Sequence, residues 1–377
     1  MNKDARKKKI YKAHYLTGCR PDNWMRLLRE NNFKISKDKI GQFLYMFGIS
    51  IILTPFTLLE SLIFGIPIRK HKMPKDPIFI LGHWRSGTTY LQNLLCKDRQ
   101  FGWCDPVSTT TFCNSCLLGP IMAAAQKKSL GMARPMDNMK YSLDSPMEDV
   151  FALNLISTHS IIHLLAFPQN YEHYLKQSFV DELSDKEKRQ WEKATKYVLN
   201  KISLRKKGKQ LILKSPDHTC HVKKLLEMYP DAKFVNIHRD PYVTIMSTIN
   251  MFHKQMALIK LNDPPKDLDA ILENAIIGLF EHVYMDLFEI EDSGVFKKGS
   301  LVNIPYDRLN EDPEGCLREI YDELGLEGFE EALPHFREHI DSVSDYVKNK
   351  FDLKPELKDK INGRLGFYFD RYGYERR

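Results

Sequence analysis

The segment Gly82-His-Trp-Arg-Ser-Gly-Thr-Thr89 joins glycines, one arginine and a set of hydroxyls within a single turn. It follows the short apolar run Pro77 to Leu81, which reads as a buried strand. Tyr90, Leu91, Leu94 and Leu95 then recur at helical spacing. A strand, a glycine-bounded loop and a helix start together make an anion site, because backbone N–H groups and the helix dipole aim at one point and Arg85 adds fixed charge. Lys214, Ser215, Asp217 and His218 emerge where the apolar run Leu211 to Leu213 ends. Arg239 and Asp240 do the same after Ala232 to His238. Glu148 and Asp149 follow Ser145-Pro146, which reads as a helix start with Ser145 as N-cap and acids next to the positive dipole end.

The elements that must position these groups alternate. Strands are expected at 77–81, 210–214, 232–238 and 301–309, with helices from Ser86, through 171–208, from Pro241, over 266–290 and from Asp312 to Leu324. Gly325 marks the last stop. Such α/β alternation puts ligands at the carboxyl ends of the strands.

The loop spacing imitates the phosphate-binding G-x-x-x-x-G-K-[ST] pattern, but Thr88 stands where that pattern demands lysine. His83-Trp-Arg-Ser-Gly-Thr-Thr89 instead resembles the 5′-phosphosulfate loop of sulfotransferases that use 3′-phosphoadenosine 5′-phosphosulfate (PAPS), with Trp84 where a proline often precedes the arginine. Leu213-Lys-Ser-Pro-Asp-His218 is similar to that family's second element, in which the lysine approaches the transferred sulfuryl group. Arg239 to Ser247 resembles its 3′-phosphate motif. The spacing has a physical reason, since Pro241 opens a helix on which Ser247 lies about two turns in, so guanidinium and hydroxyl can converge on one phosphate. Asp240 could brace the guanidinium. Pro146-x-Glu-Asp149 is like the family's acidic helix start near the acceptor hydroxyl.

The resemblance spans roughly residues 76 to 325. It implies a P-loop-like three-layer α/β/α domain over 76–377 with a central, mostly parallel sheet, preceded by a helical extension over 1–75. It implies in-line sulfuryl transfer from PAPS to an acceptor hydroxyl, without a metal. Arg85, Lys214 and the backbone of Ser86, Gly87, Thr88 and Thr89 would stabilise developing charge, and Arg239 and Ser247 would fix the 3′-phosphate. Glu148 is the first choice for the base, then His218, then His83. The charged tail through Asn362 to Gly366 and Arg371 to Tyr374 is loosely like a lid over the nucleotide. A P-loop-type kinase or NTPase remains the alternative; it wants a lysine before the hydroxyl pair and a strand-borne aspartate for magnesium.

Composition sets bounds. Hydrophobic residues make up 43% and charged residues 28%, as in ordinary globular chains. The net charge of +7 owes much to the Lys3–Lys12 leader, suits an anionic cofactor, and comes with no nucleic-acid-binding motif. Seven scattered cysteines argue against a disulfide framework and fit a reducing, cytoplasmic setting. The Cys113/Cys116 pair lacks a second C-x-x-C, and His159/His163 lacks the glutamate of H-E-x-x-H, so no metal site is expected. Ile40 to Ile68 holds one charge, Glu60, and Pro55 interrupts it. Three readings stand: a buried helical hairpin broken at Pro55, association with a membrane surface, or a span. This apolar stretch and the Met-rich 98–145 region, read as part of the acceptor pocket or its lid, lean toward a small hydrophobic alcohol, a sterol or lipid, as acceptor. A non-enzymatic membrane-surface protein would leave the basic strand exits unexplained.

Overall fold

The computed structural model describes residues 14–127, 142–343 and 352–377. Five strands, β1 (Ile78–Leu81), β2 (Gly102–Trp103), β3 (Leu211–Lys214), β4 (Lys233–His238) and β5 (Leu301–Pro305), form one sheet in the order β2-β3-β1-β4-β5. Every pairing is parallel. The pleat sends Phe79, Leu81, Leu211, Leu213 and Phe234 to one core, and Ile78, Ile80, Ile212, Val235 and Ile237 to another. Covered faces on both sides explain why these strands read as unbroken apolar runs. The register pairs Ile80 with both Lys214 and Val235, so the carboxyl ends of β3, β1 and β4 open side by side. The α/β class and parallel sheet expected from the sequence are therefore present. β2 is new; two residues are too few to carry a periodicity.

The long helices agree with the sequence: Asp185–Arg205, Pro241–Ile259, Leu268–Asp292 and Pro313–Glu323. Ser184 and Glu187 form a reciprocal capping box on the first, and Asp312 caps the last through the Gly315 N–H. Two local expectations need correction. Ser145 does not cap a helix: its hydroxyl accepts the Ser142 N–H, and the helix is a single turn, Val150–Leu153, with Asp149 at its N-cap. Ile40–Lys70 is one continuous helix of 31 residues, so the hairpin broken at Pro55 is overturned. Pro55 lies on its exposed side, where its ring meets no packed neighbour of the domain. The Met132–Met136 part of the proposed pocket lies outside the described residues; Met122 to Ala125 sit in the helix Gly119–Gln126.

One buried ion pair holds the Ile40–Lys70 helix to the domain. Glu60 accepts from Lys201 and, through Oε2, from the N–H groups of Cys116 (2.9 Å) and Leu117 (2.8 Å). Lys201 also donates to the Phe112 carbonyl and lies 4.4 Å from the centre of its ring. Glu60→Ala would leave the Lys201 ammonium buried without its carboxylate, and is expected to cost about 3–5 kcal/mol of stability. Glu60→Leu combined with Lys201→Met should recover most of that loss in a urea titration. Equal losses for both variants would mean the pair is not what holds the helix.

Candidate functional site

The 82–89 loop is shaped by close approach. Gly82 (φ 138°) and Gly87 (φ 110°) are left-handed, and a Cβ would fall 2.5 Å from the Ile237 carbonyl oxygen and 2.3 Å from the Tyr306 ring respectively. Arg85 also takes a positive φ, 70°. The helix Thr88–Leu95 starts directly after Gly87, so its first N–H groups have no helical carbonyl and face outward with the dipole. Ser86 Oγ is buried without a hydrogen-bond partner among the described residues. Trp84, in place of the proline, is buried and packs edge-on to Phe252, while its carbonyl accepts from Thr248 Oγ1 at 2.9 Å. The Gly82 N–H donates to Thr219 Oγ1 at 2.8 Å.

Lys214 reaches this loop from β3. Its Nζ donates to Glu148 Oε1 at 2.5 Å and to Thr89 Oγ1 at 3.2 Å. The ammonium is almost fully buried, whereas the Glu148 side chain keeps 20% of its exposure. A cation, a carboxylate open to the site and a helix N-terminus thus meet within hydrogen-bonding reach.

His218 turns elsewhere. Its Nε2 donates to Asp149 Oδ1 at 3.0 Å, and the Ser215 hydroxyl donates to the same oxygen at 3.3 Å. Burial pulls the imidazole down most, but the charge and hydrogen bond of Asp149, with the charges of Asp217 and Glu148, together outweigh it and leave the pKa above 6.5. For Asp149, burial pushes upward, but His218, a backbone N–H and the Ser215 hydroxyl together more than offset it, holding the carboxyl below its ordinary range. Asp217, buried beside them, is pushed up to about 7, chiefly by desolvation. His83 donates from Nδ1 to the Trp84 carbonyl at 3.1 Å and packs on Phe280, and burial lowers it to about 4.

A second basic cluster forms at the exit of β4. Arg85 Nε donates to Ser247 Oγ at 3.0 Å, and Arg239 donates to the Arg85 carbonyl at 3.2 Å. The Arg239 guanidinium lies 4.1 Å from the centre of the Tyr306 ring. Arg85, Arg239 and Ser247 therefore share one surface. Asp240 does not brace Arg239: it caps the Pro241–Ile259 helix through the Val243 N–H and pairs with Arg377 at 2.6 Å.

Tyrosines that the motifs did not single out for roles complete this edge. The Tyr368 hydroxyl accepts the Arg239 N–H at 3.3 Å and donates to the Arg239 carbonyl at 3.0 Å. Tyr372 stacks on His238 with centroids 3.7 Å apart, and the Tyr374 hydroxyl meets His238 Nδ1 at 2.9 Å. The aromatic spacing in the tail was the available signal, together with Tyr306 just after β5. The remaining candidates do not join a site. His159 pairs with Gln177 (2.8 Å) and His163 with the Ser157 carbonyl (3.1 Å). Cys113 is buried, its thiol pushed up to about 11 mainly by burial, and all seven cysteines are free.

Five histidines, His14, His83, His163, His238 and His339, are held near pKa 4, and His221 near 3, against 6.5 for an exposed ring, because burial disfavours their charge. Their folded pKa values are depressed below the unfolded ones. The stability this carries is present above pH 6.5 and is lost as pH falls toward 4, where the unfolded chain binds protons that the fold refuses. His218 and Asp217, both shifted upward, oppose this. Thermal melts should drop between pH 6.5 and 4, and a flat profile would contradict burial of these rings in the neutral state.

Comparison with known proteins fits this geometry. A family model described as "Sulfotransferase family" matches residues 77–331. The omega-hydroxy-beta-dihydromenaquinone-9 sulfotransferase Stf3 of Mycobacterium bovis, and that of Mycobacterium tuberculosis, are 33% identical over 367 residues, covering 95% of this chain and 91% of theirs. Among solved structures, sulfotransferase STF1 from Mycobacterium tuberculosis has a TM-score of 0.63 at 19% identity, covering 91% of this chain and 93% of its own. STF9 from Mycobacterium avium has 0.62 at 18%, covering 94% and 96%. These two support the fold alone. With the family model spanning most of the chain and a relative matched nearly end to end, the chain belongs to the sulfotransferase family and is a sulfotransferase enzyme.

Proposed function

We propose that the donor is PAPS and the acceptor the hydroxyl of an apolar, lipid-like alcohol. The residues present suit such a donor. The loop offers a buried, unpartnered Ser86 hydroxyl and two glycine positions too crowded for any Cβ, and the Arg85–Ser247–Arg239 cluster offers a second anion grip on the same sheet edge. When bound, PAPS supplies a sulfuryl group whose bond to the 5′-phosphate oxygen breaks as one to the acceptor oxygen forms. The observation that carries this reading is Lys214 bridging Glu148 and Thr89.

Glu148 takes the acceptor's proton, since its carboxylate is the one open to the site and sits beside the cation that faces the loop. Lys214 stabilises negative charge next to Thr89, together with the N–H groups of Gly87, Thr88 and Thr89, whereas the Ser86 N–H is already given to the His83 carbonyl at 3.2 Å. Arg239 and Ser247 hold the 3′-phosphate, and Arg85, whose side chain points to Ser247, adds charge there. His218 keeps Asp149 in place at the turn after Glu148, with its Nε2 committed to that bond. The apolar acceptor is supported by the relative Stf3, named for a hydroxylated dihydromenaquinone.

The test is calorimetric titration with adenosine 3′,5′-bisphosphate, against ATP plus magnesium. Tight binding of the bisphosphate that is indifferent to a chelator is expected, because the charges that meet it are the protein's own. Preference for ATP and magnesium would overturn PAPS as the donor. For the acceptor, labelled sulfate should move to a long-chain prenyl alcohol and not to a monosaccharide.

A further inference from the structure

The Ile40–Lys70 helix presents to solvent a face that the catalytic domain does not use. Ile52, Leu62 and Ile66 are 69%, 80% and 61% exposed, and Leu44, Tyr45, Leu58 and Leu59 are exposed beside them. The one charge between Ile40 and Ile68, Glu60, is turned inward onto Lys201, so the outward face carries none. Basic residues cluster at both ends: Lys37 and Lys39 precede the helix, with only Asp38 among them, and Arg69, Lys70, Lys72 and Lys75 close it. The Gly119–Gln126 helix begins beside the backbone that Glu60 holds, and it exposes Pro120, Ile121, Ala124 and Ala125.

We infer that this helix is a monotopic docking surface for an anionic lipid bilayer, lying in the plane of the interface with its apolar face down and its basic ends at the headgroups. Length and hydropathy alone would also allow a span. Packing argues against it. Met46, Ser50, Glu60 and Ile68 are buried against the domain at intervals along the helix, so spanning would require stripping the helix away and carrying Glu60 into hydrocarbon while Lys201 stayed behind unpaired. Charge argues against a second copy of this chain as the occupant. Both ends of the helix are basic, so either parallel or antiparallel pairing sets like charges against each other. An anionic surface complements both ends at once.

Two helix packings connect this helix to the turn that carries Glu148. The helix packs on Asp185–Arg205, and that helix packs on Val150–Leu153, which begins two residues after Glu148. The inference does not depend on the donor or acceptor assignment.

The experiment is flotation of the full chain with vesicles of phosphatidylcholine alone and of phosphatidylcholine mixed with phosphatidylglycerol. The chain should float with the mixed vesicles, and less so with phosphatidylcholine or at high salt. Ile52→Glu/Leu62→Glu/Ile66→Glu changes only exposed positions, so its melt should match the parent while its bound fraction falls roughly tenfold or more. Arg69→Glu/Lys70→Glu should weaken binding to the mixed vesicles and leave the phosphatidylcholine level alone. A chain that does not float, or a triple variant that floats as well as the parent, overturns the inference. So does a dimer in light scattering that the triple variant splits while neither form floats. Bisphosphate binding measured on the same samples reads the donor assignment separately, so failure of either leaves the other standing.

Discussion

Lys214→Ala is expected to lower turnover about 10²–10³-fold, as removal of one preorganised charge-stabilising donor does elsewhere. The ammonium is almost fully buried and touches both Glu148 and Thr89, so its loss strips charge from the loop and frees the carboxylate to move. Glu148→Gln separates the two effects, since the amide oxygen can still accept from Lys214 but the side chain is no longer a base. Turnover should fall about 10²–10⁴-fold, while calorimetric affinity for adenosine 3′,5′-bisphosphate stays at the parent value. Because the two side chains act as a unit, the double variant should be little worse than the more damaging single one. If Glu148→Gln turns over normally, the proton goes elsewhere. His218 would then come next, although Asp149 already occupies its Nε2.

Arg239→Glu should weaken the bisphosphate by about 10³-fold or more, since it reverses the charge of a group assigned to a desolvated ionic contact. Part of the effect is architectural. The guanidinium stacks on Tyr306 and donates to the Arg85 carbonyl, so it also steadies the loop that carries Arg85. Arg239→Lys keeps the charge without the planar fork and should fall between parent and reversal. Ser247→Ala removes one neutral donor and should cost only about tenfold. Calorimetry reads all three, and an affinity unchanged by Arg239→Glu would remove this residue from the nucleotide site.

The Ile40–Lys70 helix shows where composition stops being informative. Its residues fit a hairpin, a surface helix and a span equally well, because all three want a long apolar segment. Which face is turned inward depends on Lys201 and Phe112, more than fifty positions away, and on the carboxylate of Glu60 finding them. Ser145 failed as a cap for a related reason. Its composition suited a helix start, but the Asp149 carboxyl was drawn to His218 and Ser215, and the chain became helical only after that contact.

The sequence by itself determined the parts governed by local sterics and period. Short apolar runs specify buried parallel strands, glycines at 82 and 87 specify a turn that no Cβ can enter, and Pro241 specifies where a helix begins after Arg239. Because β3, β1 and β4 pair side by side with matched ends, those local signals also bring the candidate residues to one sheet edge. Tertiary structure alone decided which groups meet: Lys214 with Glu148, Arg85 with Ser247, and the tail tyrosines with His238 and Arg239. These contacts join residues from 66 to 162 positions apart, whereas spacing along a chain constrains only neighbours within a few turns.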